Sequence, residues 1–172
     1  MRKFVLTLAL ATLPLAGQTL SGRRAPSFNL PDSAINHYDI LDYRGKWLVL
    51  DFISTMAAHS AESSKMLENL HKQFGARVGI LSIAITPPEN TSTIANYQLA
   101  NKLTLPILFA QGQMTATYFK LSPTNSRYDS PHLFVINPAG NIVKDWSYSD
   151  QNKAMFEGDG LGKQLQALMA AK

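Results

Sequence analysis

The 172-residue chain contains no cysteine. That absence excludes disulfides, thiolate catalysis, cysteine-ligated zinc, cysteine-held iron–sulfur clusters and lipid attachment through cysteine. Charge of one sign is also scarce: 16 Lys and Arg stand against 12 Asp and Glu, a formal net charge of +4. Without Arg2 and Lys3 the balance is 14 to 12, about +2. Beyond Arg2-Lys3, Arg23-Arg24 is the one adjacent basic pair, and no basic stripe alternates with aromatics, so a nucleic-acid partner is not expected. His37, His59, His71 and His132 show neither HxxxH nor HxH spacing, so no metal site is expected, and no cofactor is implied. What the chain does have is 45% hydrophobic and 16% charged residues, which predicts one packed globule.

No hydrophobic run is long enough for a membrane span. The longest, over residues 4–15, is broken by Thr7, Thr12 and Pro14. It follows Arg2-Lys3 and precedes the small residues Ala16 and Gly17, which is the pattern of an export leader over about 1–17. Leu15-Ala16-Gly17 resembles the start of a lipoprotein processing site, but Gln18 stands where the acylated cysteine would be. The expectation is a periplasmic or secreted product without a membrane anchor in its mature form. It would have a flexible lead-in over 18–24 and a single domain over 25–172.

Periodicity places the elements. After an extended lead-in over 21–32 and a short strand over 38–41, WLVLDFI at 47–53 predicts a central strand buried on both faces. Met66, Leu67, Leu70 and Phe74 then repeat at helical spacing over 60–74, and Gly75 stops the helix. A strand over 77–85 ends at Pro87-Pro88. A helix from 90 or 92 to 102 turns Ile94, Tyr97, Leu99 and Ala100 to the sheet. A strand at 107–110, a short helix at 114–119, and a hairpin of 132–137 with 142–147 around Pro138-Ala139-Gly140-Asn141 follow. The last helix starts at 160 or 161, ends at 170, and buries Leu161, Leu165, Leu168 and Met169. Strands joined through helices imply a layered α/β fold with parallel pairing, to which the hairpin adds antiparallel pairing.

Residues 47–62, WLVLDFISTMAAHSAE, resemble the first core strand and active loop of the TlpA/ResA-type thioredoxin-like proteins, relatives of the AhpC/TSA redoxins. There an apolar strand and NFWATW precede CPPC at a helix start. Ser130-Pro131 before HLFVIN resembles the family's cis-proline segment, and Ala25-Pro26-Ser27-Phe28-Asn29-Leu30-Pro31 resembles its lead-in. The resemblance spans about 25–169. It implies a thioredoxin-like three-layer α/β sandwich with a central mixed sheet and extra N-terminal strands. Ala57-Ala58-His59-Ser60 occupies the place of the two cysteines and the residues between them.

The family's chemistry needs a low-pKa thiolate that attacks a disulfide and a second thiol that resolves it; its peroxidase branch needs a thiol that becomes sulfenic acid. Ala57 has no nucleophile, and the Ser60 hydroxyl stays protonated. No thiol exchange or peroxidase activity is therefore expected, and no residue is assigned as catalytic. The expected role is binding of a protein or peptide through Met56, His59, Ser130 and Pro131, the proline exposing backbone groups to an extended chain. The alternative is a thiol–disulfide oxidoreductase whose cysteines at 57 and 60 were lost naturally or by mutation. A serine or histidine enzyme built on Ser60 and His59 is a third reading. The bland expectations are that Ser60 caps the helix, His59 covers its start, Met56 packs in the loop, Trp47 and Trp146 pack on strands, and Asp51 is a sheet-end residue paired to a backbone group or a lysine.

Overall fold

The computed structural model of the chain describes residues 19–85, 88–110 and 112–171. The leader expected over 1–17 and the Pro87 stop lie outside them. Three short strands open the fold: β1 (Arg23–Arg24), β2 (Asn29–Pro31) and β3 (His37–Asp39), followed by a 3-10 turn over Ile40–Tyr43. The core elements are β4 (Trp47–Ile53), α1 (Ser60–Phe74), β5 (Val78–Ile85), α2 (Thr91–Asn101) and β6 (Ile107–Ala110). Then come α3 (Gly112–Phe119), β7 (His132–Ile136), β8 (Asn141–Ser147), α4 (Lys153–Glu157) and α5 (Gly160–Ala170).

The main sheet has the order β1-β8-β7-β4-β5-β6, and β2 pairs with β3 beside it. β4, β5 and β6 run parallel; β7 is antiparallel to β4, and β8 to β7. Alternation along β4 divides the core. Leu48, Leu50 and Phe52 point to one face, where Met114, Tyr118 and Phe119 of α3 and Phe28 and Leu30 of the lead-in pack. Val49 points to the other, against Leu67, Leu70 and Phe74 of α1, Phe156 of α4, and Leu161 and Leu165 of α5. Ile53 shares that face and meets Ile94 and Tyr97 of α2. Burying β4 on both faces explains why its sequence is nearly continuous in apolar residues. Trp47 and Trp146 pack against the α1 side, as expected.

Four expectations are corrected. Residues 20–24 are held in place rather than loose: Arg23–Arg24 pair with β8, Gly22 N donates to Ile142 O at 2.8 Å, and Leu20 packs on the core. The expected strand at 38–41 is β3 followed by the 3-10 turn, because the Asp39 carboxylate accepts from Leu41 N at 2.8 Å and starts a helical turn there. Leu99 and Ala100 face solvent, so α2 buries only Ile94 and Tyr97. The five-residue α4 was not expected; it carries one buried residue, Phe156, too few for a periodic signal.

Candidate functional site

The site lies at the C-terminal end of β4, where the chain leaves the sheet through 54–59 and enters α1. The loop is fixed by Glu89, which is 6% exposed and sits just before α2. Thr55 N donates to Glu89 Oε1 at 2.5 Å, Ser54 Oγ to Oε1 at 3.2 Å, and Thr55 Oγ1 to Oε2 at 2.9 Å. Thr93 Oγ1 lies 2.8 Å from Oε2 and ties the carboxylate to α2. Met56, next along the loop, is 82% exposed. The expected packing of Met56 within the loop is therefore corrected: Glu89 organises the loop from beneath and leaves the thioether outside.

Ala57 is half-buried, Ala58 exposed and Ser60 fully buried. Ser60 N donates to Ala57 O at 3.1 Å, closing a turn at the helix entrance. Ser60 is not the cap. His59 holds that position, without a side-chain bond to the helix, and Ser60 is the first helical residue with its Oγ buried and unpartnered. The helix ends at Gly75, whose φ of +52° is the left-handed conformation that favours glycine.

His59 turns toward the end of β8. Its ring stacks on Tyr148 with centroids 3.8 Å apart and planes 11° from parallel. Its Nδ1 lies 3.0 Å from Glu157 Oε1, and the Tyr148 hydroxyl donates to the same oxygen at 2.7 Å. That hydrogen bond pushes the Tyr148 hydroxyl up to about 12 and holds the Glu157 carboxyl below its ordinary range. His59 therefore spends its ring on contacts within the chain, to Tyr148 and Glu157. With its Nδ1 on Glu157 and Ser60 Oγ unpartnered, the pair needed for a serine nucleophile is not assembled.

Tyr148 links this loop to Ser130-Pro131. Its backbone N–H donates to Pro131 O at 3.2 Å, and Ser130 Oγ donates to Phe52 O at 3.2 Å. The Ser130–Pro131 bond is cis. Pro131 is buried and its carbonyl is engaged, so it does not itself offer backbone groups to a partner. Half-buried Ser130 is the residue on the accessible side. Met56, His59 and Ser130 thus lie at one end of the sheet, with Pro131 beneath.

Asp51 is a further correction. It is neither at a sheet end nor paired to a lysine. It is wholly buried in the middle of β4 beneath α1. Ser63 Oγ donates to its Oδ2 at 2.7 Å, while Oδ1 has no partner. Burial raises its carboxyl to about 7, against the opposing pull of Ser63. One residue along, Ser64 Oγ meets Tyr97 OH at 3.0 Å. Ser63 and Ser64 of α1 thus face a polar seam between β4 and α2. No group of three or more His, Asp and Glu among the described residues is arranged to hold a metal ion.

Sequence reasoning missed Glu89, Tyr148 and Glu157. Glu89 precedes the expected start of α2, where an acid is favourable, but its bond to Thr55 spans 34 residues and leaves no local pattern.

The sequence model of the AhpC/TSA family matches residues 21–145, more than half of the chain and all of this site up to Pro131. The chain belongs to the AhpC/TSA family. It is 24% identical over 123 residues to the thiol-disulfide oxidoreductase ResA of Bacillus subtilis, covering 72% of this chain but 65% of that protein. It is 23% identical over 137 residues to ResA of Bacillus thuringiensis, covering 80% and 75%. A secreted Mycobacterium tuberculosis disulfide oxidoreductase, homologous to Escherichia coli DsbE, superposes with a TM-score of 0.65 at 18% identity, over 81% of this chain and 95% of that one. A thioredoxin-family thiol:disulfide interchange protein from Chlorobium tepidum gives 0.63 at 17%, over 83% and 99%. The fold is thioredoxin-like, with a mixed six-stranded sheet. This AhpC/TSA member carries Ala57 and Ser60 at the degenerate motif.

Proposed function

We propose that this protein is an exported thioredoxin-fold binding protein that takes an extended peptide across Met56, His59 and Ser130 and performs no thiol chemistry. The observation that carries the reading is the loop itself. Glu89 holds it through three hydrogen bonds while Met56 stands 82% exposed. Ordering a loop costs conformational entropy, and a fixed loop presenting an apolar side chain beside a half-exposed aromatic pair has the chemistry of a contact surface. Export is supported by the leader pattern at residues 1–17 and by the secreted relative.

Amide-shift titration of the labelled protein with a set of unstructured peptides tests this. Saturable shifts at Met56, His59, Ser130 and Tyr148, weakened in Met56→Asp, are the expected result. Shifts elsewhere, or none, reject it.

A second reading is favoured by the oxidoreductase relatives: the chain descends from a disulfide-exchanging parent and keeps its scaffold. Position 57 half-buried and position 60 buried at the start of α1 fit that descent. Thiol turnover after Cys is placed at both positions tests it.

A further inference from the structure

At the end of the sheet opposite the loop, the β7–β8 turn packs beside the 3-10 turn Ile40–Tyr43. The register sets this placement, since Ile136 at the end of β7 pairs with Leu48 near the start of β4. Gly45 N also donates to Pro138 O at 3.0 Å. Between these turns and the lead-in lies a cleft of about 450 Å³. Pro26, Ile40, Leu41 and Ala139 form apolar walls, and Ser27 and Thr117 add hydroxyls. Arg24 and Arg44 are the charged residues that line it.

The two arginines differ from their neighbour. Arg23 turns inward, its guanidinium donating to Leu20 O and Tyr118 O. Arg24 and Arg44 are exposed, and neither joins an ion pair among the described residues. Their backbones are anchored: Arg24 pairs with Asn141 in the sheet, and Arg44 N donates to Leu41 O at 3.2 Å. Two cations on anchored backbone therefore border an apolar cleft with no acidic lining residue, and Leu41 there is 53% exposed.

We propose that this cleft binds a small carboxylic acid with an apolar tail. The carboxylate sits between the Arg24 and Arg44 guanidiniums, and the tail lies against Pro26, Ile40 and Leu41. A guanidinium bonds a carboxylate through paired N–H donors. The cleft falls within the roughly 300–1,000 Å³ range of small-molecule sites. The site is remote from Met56 and Ser130, so its occupancy is independent of the peptide reading.

The test is an amide-shift titration of the full-length protein with decanoate below its micelle concentration. Saturable shifts confined to Ile40, Leu41, Arg44, Ala139 and Gly140 are expected. Decanol, which lacks the charge, and acetate, which lacks the tail, should bind at least about tenfold more weakly. The Arg24→Gln/Arg44→Gln protein should lose about tenfold or more in decanoate affinity with its remaining amide spectrum unchanged. Leu41→Asp should cause a comparable loss from the apolar side. Shifts elsewhere, equal binding of decanol, undiminished binding in both variants, or tighter binding of the uncharged apolar tripeptide acetyl-Ala-Leu-Leu-amide than of decanoate would overturn the proposal.

Discussion

The Thr55 backbone N–H donates to Glu89 Oε1 at 2.5 Å, joining the loop after β4 to the segment that starts α2. Removing the carboxylate takes this acceptor from the amide and from the hydroxyls of Ser54, Thr55 and Thr93. Glu89→Ala is predicted to cost about 1–3 kcal/mol of local stability. The Thr55 amide would then exchange with solvent about five- to hundredfold faster. Glu89→Gln, which keeps one acceptor oxygen, should fall between. Native-state hydrogen exchange at Thr55 and Met56 reads both.

Asp51 gives a pH dependence with a definite sign. Its carboxyl is raised to about 7 in the fold by burial, above the ordinary aspartate value of 3.8. The folded state thus binds a proton that the unfolded chain releases at lower pH. Stability from this group is fully present below about pH 4, declines as the pH rises toward 7, and is lost above. Asp51→Asn removes the titration and keeps an oxygen for Ser63. Its stability relative to the parent should rise between about pH 4 and 7 and level off above, by roughly 2–4 kcal/mol. Denaturant melts of both proteins across that range measure the difference.

Glu68 of α1 accepts from Leu105 N at 2.7 Å, from Thr104 Oγ1 at 2.8 Å, and from Thr104 N. Burial alone would raise this carboxyl, but these bonds outweigh it and hold the group below its ordinary value. Glu68→Ala is expected to destabilise the protein by about 2–3 kcal/mol, because the buried Leu105 amide loses its acceptor. Acid should weaken the parent through this group, since stability present above the unfolded pKa is lost as pH falls through the folded one. Urea midpoints at pH 7 and pH 4 give both effects.

Gly79 in β5 lies under the Tyr43 ring. A Cβ at this position would come within 2.2 Å of Tyr43 Cδ1 and 2.4 Å of Cε1. Gly79→Ala should push the ring aside and cost about 1–3 kcal/mol, measured by thermal melting.

β4 and α1 were legible at both ends. The apolar run 47–53 is bounded by polar residues, and Gly75 stops a clear helical stripe. β1 was not legible, since two arginines form a strand only because β8 lies beside them. The motif positions were found because they follow β4. Their roles were not: Ser60 read as a cap, while the chain enters the helix one residue earlier at His59. Asp51 carries the same lesson, since its partner Ser63 lies on the helix face above it and not in its strand.

Disulfide-reductase turnover tests the central claim that the scaffold survives while its chemistry is absent. The pure protein should match a heat-denatured control, and Ala57→Cys/Ser60→Cys, folded by circular dichroism, should turn over. Turnover by the cysteine-free protein, or none by the folded double variant, would contradict the account.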